Sequence, residues 1–261
     1  MAVTCPIGFD VARLRSQVLA TYDRVARDPD GDFHFHRGAR YASEFLRYDA
    51  AELASLPAAA TARFAGVGNP LRIGPIARGE TVLDHACGAG MDVLLAARRV
   101  GPTGRVIGVD MTPAMRHVAM HAARAAGLGT IVDIRAGFYE HLPVDDASVD
   151  VVISNGVVNL APDKAQVFRE IHRVLRAGGR LYLADVVVQR ELKEDVRNDP
   201  DLWAACVAGA LPEAELGALA LATGFRDARI TERFDCFRDT SAEAKVARDL
   251  RVQAVNFHAR K

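Results

Sequence analysis

From Thr81 onward the chain alternates short apolar runs with helix-patterned stretches, and this alternation constrains the fold more than any other feature. TVLDHA, RVIGVD, VDIRAG, SVDVVIS and RLYLADVVV have strand length and strand composition. MDVLLAARRV lies after the first run. A segment opened by Thr112 as N-cap and Pro113 at the first helical position follows the second. Lys164 to Leu175 places Val167, Phe168, Ile171, Val174 and Leu175 on one side and precedes the last run. Strands alternating with helices predict a parallel sheet with right-handed crossovers. The runs are apolar on both sides, so helices must cover both sheet faces. The expected class is α/β: a doubly wound, mostly parallel, seven-stranded sheet.

The two ends of the chain depart from this rhythm. Val11, Leu14, Val18, Tyr22 and Val25 form one helical stripe, DPDGD breaks it, and a shorter helical piece is expected from about Ala50 to Phe64. The stretch FHFHRGARYASEFLRYD between them shows no clear period. Residues 1–72 read as an N-terminal helical extension and candidate lid, and 73–261 as the main domain with an insertion at about 188–212. A helix near Glu213–Thr223, then ARITERFDCF and RVQAVNFHARK, predicts two late strands with a short helix between them and an antiparallel C-terminal edge.

Lys plus Arg equals Asp plus Glu, 33 of each. Zero net charge removes the usual electrostatic argument for nucleic acid or an anionic membrane surface. No run reaches transmembrane length, and the four scattered cysteines read as free thiols of a reducing compartment, so a cytoplasmic location is expected. Composition leaves the oligomeric state open.

The chemistry concentrates in Asp84-His85-Ala86-Cys87-Gly88-Ala89-Gly90, between the first strand and the helix after it. Ligands of doubly wound sheets bind beyond the carboxyl ends of the strands. Gly88 and Gly90 allow close backbone approach there. Asp110 ends the second strand, where a carboxylate can accept hydrogen bonds from both hydroxyls of a ribose. A dinucleotide fingerprint would require a third glycine near Leu94 and would not tolerate Asp84 beside a pyrophosphate. An acid at that position suits a cationic or amino-acid-bearing ligand better than a pyrophosphate.

VLDHACGAG, GVDMT, GFYEHLPVDDASVDVVISN and RVLRAGGRLYLAD, in that order across residues 79–187, resemble the successive motifs of class I S-adenosylmethionine-dependent methyltransferases. Ala86 departs from the glycine usual in that family. The resemblance implies S-adenosyl-L-methionine as cofactor and S-adenosyl-L-homocysteine as product. It implies a cofactor site made of Asp84, Ala86, Cys87, Gly88 and Gly90, with Asp110 on the ribose hydroxyls and Met111 on the adenine. Gly137 and Phe138 would border the adenine edge, and Ser154 and Asn155 would lie near the transferable methyl.

SNGVVNLAPDK, DPDLWAACVAGALPEAEL and GVGNP extend the resemblance, from about Gly66 to Phe225, to arsenite methyltransferases. In that family three cysteine thiolates hold pyramidal, sulfur-seeking As(III). Only Cys206 is present at a matching position here. Val67 and Gly156 stand where the other two are expected. The departure implies a small-molecule acceptor other than arsenite. The alternatives are an arsenite methyltransferase with a reduced cysteine set, aided by external thiols, and a non-catalytic cofactor-binding protein. On the acceptor side Asn155, Cys206, His34 and His36 are the candidates. The two histidines alternate in FHFH and would face the same way as bases for an O or N acceptor. Without a third ligand they make no metal site.

Overall fold

The computed structural model describes residues 3–6, 8–189, 192, 194–198, 203, 206–240, 243 and 252–261. The strands are β1 (Thr81–His85), β2 (Arg105–Asp110), β3 (Val132–Ala136), β4 (Val149–Asn155), β5 (Leu175–Val188), β6 (Leu211–Pro212), β7 (Arg226–Phe234) and β8 (Val252–Arg260). They form one sheet in the order β3-β2-β1-β4-β5-β8-β7, with the two-residue β6 paired to β5 off this path. From β3 to β5 every pairing is parallel. β8 runs antiparallel to both β5 and β7, so the reversed strand lies one place inside the C-terminal edge. The expected mostly parallel sheet with an antiparallel C-terminal edge is present.

The apolar runs become the central strands because both faces are covered. In β4, Val149 through Ser154 are all buried. Helix α5 (Met91–Val100) is buried along most of its length, and α6 (Pro113–Ala125) packs on β3 and β2. Helix α7 (Lys164–Val174) buries Val167, Phe168, Ile171 and Val174, four of the five positions named from the sequence, while Leu175 opens β5. Thr112 takes the N-cap place of α6, but its side chain makes no capping bond to the helix and its hydroxyl turns to Asp110 instead.

The N-terminal residues pack directly on this sheet layer. Helix α1 (Val11–Arg27) lies against α6, Thr4 pairs with Asp163, and Arg15 bonds Glu140 at 2.8 Å. The aperiodic stretch contains a helix the sequence did not reveal, α2 (Gly38–Leu46). It buries only Tyr41, Ala42 and Leu46 and stops at Arg47 in the left-handed region, too short for a readable period. The expected single piece at 50–64 is two short helices, α3 (Ala50–Ala54) and α4 (Ala58–Thr61), separated at Pro57, which removes a backbone donor. A four-residue helix, α8 (Glu194–Arg197), precedes β6, and α9 (Glu213–Ala222) follows it. Much of the insertion expected at 188–212, and the short helix expected between the last two strands, lie outside the described residues. No described helix is long and apolar enough to cross a membrane.

Candidate active site

A cleft of about 860 Å³ opens at the carboxyl ends of β1, β2 and β4, where the parallel strands fan apart. Its floor is the turn from Asp84 to Gly90. Ala86, Gly88 and Gly90 all have positive φ, 66°, 52° and 89°, so three left-handed residues fold the turn back on itself. A Cβ on Gly88 would meet nothing within 4 Å, which leaves the backbone there open to a ligand. A Cβ on Gly90 would press to 3.0 Å from that of Ala119 on α6. Cys87 is buried, and its sulfur packs against Gly108 of β2. It fills space in the turn.

Three carboxylates surround this floor. Asp110 accepts from the Gly88 N–H at 2.8 Å and the Thr112 N–H at 2.7 Å, which fixes its orientation at the end of β2. Burial raises its pKa, against the lowering pull of those donors. Asp84 is buried at the end of β1, and its electrostatic neighbours are Asp92 and Asp110, both acidic. Burial first, and then these like charges, hold its carboxyl well above the usual range. Asp92, in the first turn of α5, is pushed up to about 6 by burial. It accepts from the Tyr48 hydroxyl at 2.8 Å and from Asn155 Nδ2 at 3.1 Å. Asn155 in turn accepts from the Val67 and Gly68 N–H groups at 2.8 and 3.2 Å. Gly66 makes this possible, because any Cβ there would collide with the Asn155 amide. Asp92 and Tyr48 were not read from the sequence. Asp92 stands two residues after Gly90, and only the fold turns it inward.

The cleft wall also contains Met111 and Gly137 from the strand-end loops, Met115 from α6, Tyr139, Gly156, Val157 and Leu160 beyond, Val18 and Tyr22 from α1, and Arg63 and Phe64 just after α4. Of the cofactor residues named from the sequence, Asp84, Ala86, Cys87, Gly88, Gly90, Asp110, Met111 and Gly137 meet here, together with Asn155. Two do not. Phe138 is 48% exposed, outside the cleft, with the Arg15 guanidinium 5.8 Å from its ring. Ser154 is fully buried and points to the opposite side of β4 from Asn155, toward His85 Nδ1 at 3.2 Å. His85 is structural: its other ring nitrogen meets the Tyr139 carbonyl at 3.1 Å, and burial lowers its pKa to about 4.

The acceptor-side candidates scatter further. His34 lies away from the cleft, edge-on to Phe35, with its pKa lowered by burial and by Arg24. His36 stacks on Tyr41 and bonds the Arg238 carbonyl at 2.6 Å. Neither lines the cleft, so the expectation of paired bases is corrected. Cys206 does not line it either. It packs with Leu160 and Tyr22, which do, and with Trp203. Trp203 is core: its indole donates to the Arg197 carbonyl at 2.8 Å, and the Lys164 ammonium lies 4.3 Å from its ring. Val67 and Gly156 converge. A Cβ on Gly156 would lie 3.4 Å from Val67 Cγ1. Among the described residues no group of three His, Cys, Asp or Glu side chains is placed to hold a metal ion.

An acidic, glycine-floored cleft at the strand ends suits a nucleoside bearing positive charge. The sequence model of the methyltransferase domain family matches residues 76–235. This chain belongs to the methyltransferase domain family. Its cofactor is S-adenosylmethionine. The arsenite methyltransferase of Halobacterium salinarum is 48% identical over 191 residues, 73% of this chain and 48% of that protein. The human arsenite methyltransferase is 38% identical over 157 residues, 57% of this chain and 42% of that protein. The chain thus spans about half the length of these curated relatives. Among solved structures, an arsenic (III) S-adenosylmethionine methyltransferase from Chlamydomonas reinhardtii superposes with TM-score 0.70 at 37% identity, covering 80% of this chain and 71% of that one. A geranyl diphosphate methyltransferase at 18% identity shares the fold, with TM-score 0.64 over 95% of this chain and 99% of that one.

Proposed function

We propose that this methyltransferase transfers a methyl group from S-adenosylmethionine to a trivalent arsenical, held by Cys206 with help from thiols beyond the three-cysteine set. The sequence alone favoured another acceptor. Curated relatives 48% and 38% identical, matched over 73% and 69% of the chain, are named arsenite methyltransferases, and they favour the arsenical. The observation that carries the reading is a cleft without a histidine base, with Cys206 packed behind its wall on the cluster that contains Leu160. Among the described residues no histidine lines the cleft, and burial keeps the Tyr22 and Tyr139 hydroxyls protonated. An oxygen or nitrogen acceptor must usually lose a proton to become nucleophilic. An As(III) centre keeps a lone pair and needs no base.

When bound, the cofactor supplies an activated methyl group. The chain's own residues orient and shield. Asp110 accepts from the ribose hydroxyls, and Asp84 offsets positive charge. Asn155 fixes the loop carrying Val67, while Val18, Tyr22 and Phe64 exclude water. Holding donor and acceptor in line can supply roughly 7–11 kcal/mol of the barrier.

A second reading, methyl transfer to a small molecule without arsenic, has its own support. Val67 and Gly156 place a valine methyl and a bare backbone where thiolates are expected. One assay separates the two. The protein is incubated with S-adenosylmethionine, arsenite and glutathione, and with methylarsenite in parallel, while S-adenosylhomocysteine and methylated arsenic are followed together. Methylated arsenic appearing in step with S-adenosylhomocysteine is the expected result. Cofactor binding without any arsenic product overturns the proposal in favour of the second reading.

A further inference from the structure

Asn155, Ala184, Asn256 and Glu232 form one row across four strands. Asn155 of β4 pairs with Ala184 of β5, Ala184 with Asn256 of β8, and Asn256 with Glu232 of β7. Residues paired in this way present their side chains to the same sheet face. The segment 66–69, which leads away from the cleft wall at Gly66, lies over that row. Alanine at the centre lets it come close. A Cβ on Gly68 would stand 2.9 Å from the Ala184 Cβ and 3.0 Å from Asn256 Oδ1.

The two asparagines take up the backbone of successive residues. Asn155 Oδ1 accepts from the Gly68 N–H at 3.2 Å, and its Nδ2 donates to the Gly68 carbonyl at 3.0 Å. Asn256 does the same one residue on. Its Oδ1 accepts from the Asn69 N–H at 3.2 Å, and its Nδ2 donates to the Asn69 carbonyl at 2.8 Å. Each side-chain amide thus stands in for the peptide group of a neighbouring strand. Asn256 is fully buried, and its Nδ2 also donates to Glu232 at 3.2 Å. Glu232 is braced in turn by Arg72, at 3.1 and 3.2 Å, and by Arg47. An amide suits position 256 because the site needs a donor and an acceptor together. Alanine would leave the Asn69 N–H and carbonyl without these partners, and a carboxylate would lack the donor.

We propose that Asn256 is a positioning residue for methyl transfer. With Asn155 it sets how closely segment 66–69 lies on the sheet, and so fixes Gly66 and Val67 beside the cofactor cleft, where the acceptor must align with the methyl group. Asn256 itself does not line the cleft and acts through the segment. This deepens the proposed function and rests on it for the acceptor used in the turnover assay. Misplacing such a wall by about 1 Å can cost roughly 100-fold in rate.

The test measures amide hydrogen exchange of the full chain at residues 67–69, as protection relative to the parent at the same pH, together with methyl transfer to methylarsenite. In N256A, exchange at 67–69 should quicken about tenfold while β4, β5 and β8 stay protected, which is the control for folding. Its kcat should fall about tenfold or more, with KM for S-adenosylmethionine changed by less than about threefold. N256D supplies a readout that loss of stability alone would not move. The carboxyl it introduces faces the Asn69 carbonyl and Glu232, with Arg72 and Arg47 reaching Glu232 as well. Protonated, that carboxyl carries a donor and an acceptor as the amide does; ionised, it loses the donor. Burial and the Glu232 charge favour the protonated form. Protection and relative turnover in N256D should therefore approach the parent's near pH 5 and fall toward those of N256A by about pH 9. N256D that follows N256A at every pH, or matches the parent even at the alkaline end, overturns the proposal, as does a folded N256A with parental kcat. Should N256A fail to fold, E232A decides: it removes the acceptor that orients the Asn256 amide, and unchanged exchange at 67–69 in the folded variant overturns the proposal. If the parent forms no methylated arsenic, the arsenical reading falls, and exchange with its rescue in acid still decides whether Asn256 holds the wall.

Discussion

Asn155 Nδ2 stands 3.1 Å from the Asp92 carboxylate, and this contact joins the end of β4 to the first turn of α5 across the cofactor cleft. Through its other amide atom Asn155 holds the Val67 and Gly68 N–H groups. The cofactor floor and the acceptor loop are therefore parts of one hydrogen-bonded unit. Asn155→Ala should release the loop and leave the Asp92 oxygen buried without that donor. Leaving a charged acceptor unsatisfied costs on the order of 1–3 kcal/mol. The expected result is a large fall in turnover with a modest fall in stability, read by product formation and urea unfolding. Full activity in a stable Asn155→Ala protein would show that the loop is held elsewhere.

Asp110 is oriented by two backbone donors and keeps lone pairs free for a ribose. Asp110→Ala removes charge-assisted hydrogen bonds of about 1.5–3 kcal/mol each. Calorimetry should show S-adenosylmethionine binding weakened by roughly 10-fold to more than 100-fold. Unchanged affinity would remove Asp110 from the cofactor site.

The acid cluster gives cofactor binding a pH dependence of definite sign. Burial raises the Asp92 carboxyl to about 6 and holds Asp84 well above the usual range. For a carboxyl raised on folding, the stabilising difference is fully present below the unfolded value near 3.9 and is lost as pH rises through the folded value. Above about 6, where Asp92 ionises, the unliganded protein therefore bears negative charge in the cleft. A cationic ligand offsets that charge, so binding expels protons in the acid range. Affinity for S-adenosylmethionine should fall by up to about tenfold per pH unit below about 6 and level off above it. S-adenosylhomocysteine lacks the sulfonium charge and should respond less. Asp92→Asn should flatten the profile. Calorimetry from about pH 5 to about pH 7.5 reads all three, and equal slopes for the two ligands would contradict the electrostatic account.

Much of this site can be read along the chain because the signals are local. The glycine turn, the acid ending β2 and the apolar strands each declare themselves within a few residues. Asp92 and Tyr48 do not, since neither differs in sequence from a surface acid or an ordinary core aromatic. Their roles exist only once α5, the segment after α2 and β4 meet. Ser154 and Asn155 follow one another on β4, and only Asn155 lines the cleft. Successive side chains on a strand face opposite ways, so Ser154 and Asn155 cannot both face the cleft. Register puts Ser154 beside His85, its partner on β1. Alternation alone misled at His34 and His36, because neighbouring aromatic rings set each histidine's environment.

Ala86 occupies the left-handed region with φ 66°. An L-residue there costs roughly 1–2 kcal/mol, and glycine gives back roughly 0.5–1 kcal/mol through greater freedom in the unfolded chain. Ala86→Gly should therefore stabilise the protein by about 0.5–1 kcal/mol, seen as a higher Tm. A lower Tm would mean that the Ala86 methyl makes packing contacts worth more than the strain.

The separation of Val67 and Gly156 makes the missing thiolates restorable. Because a Cβ on Gly156 would fall 3.4 Å from Val67 Cγ1, sulfurs introduced at 67 and 156 would meet within one arsenic-sized space. The two substitutions are not equal in cost. Val67→Cys exchanges one small buried apolar side chain for another of similar size and should fold well. Gly156→Cys puts a side chain at φ 75°, with a penalty of roughly 1–2 kcal/mol. If Cys206 lies where the third sulfur is needed, the double variant V67C/G156C should methylate free arsenite faster than the parent, while V67C alone gains less. Arsenic speciation with time measures this directly. A folded double variant that binds S-adenosylmethionine yet gains nothing on arsenite would show that Cys206 does not converge with these positions. The match of WAACVAGAL to the arsenic enzymes would then be one of sequence and not of site.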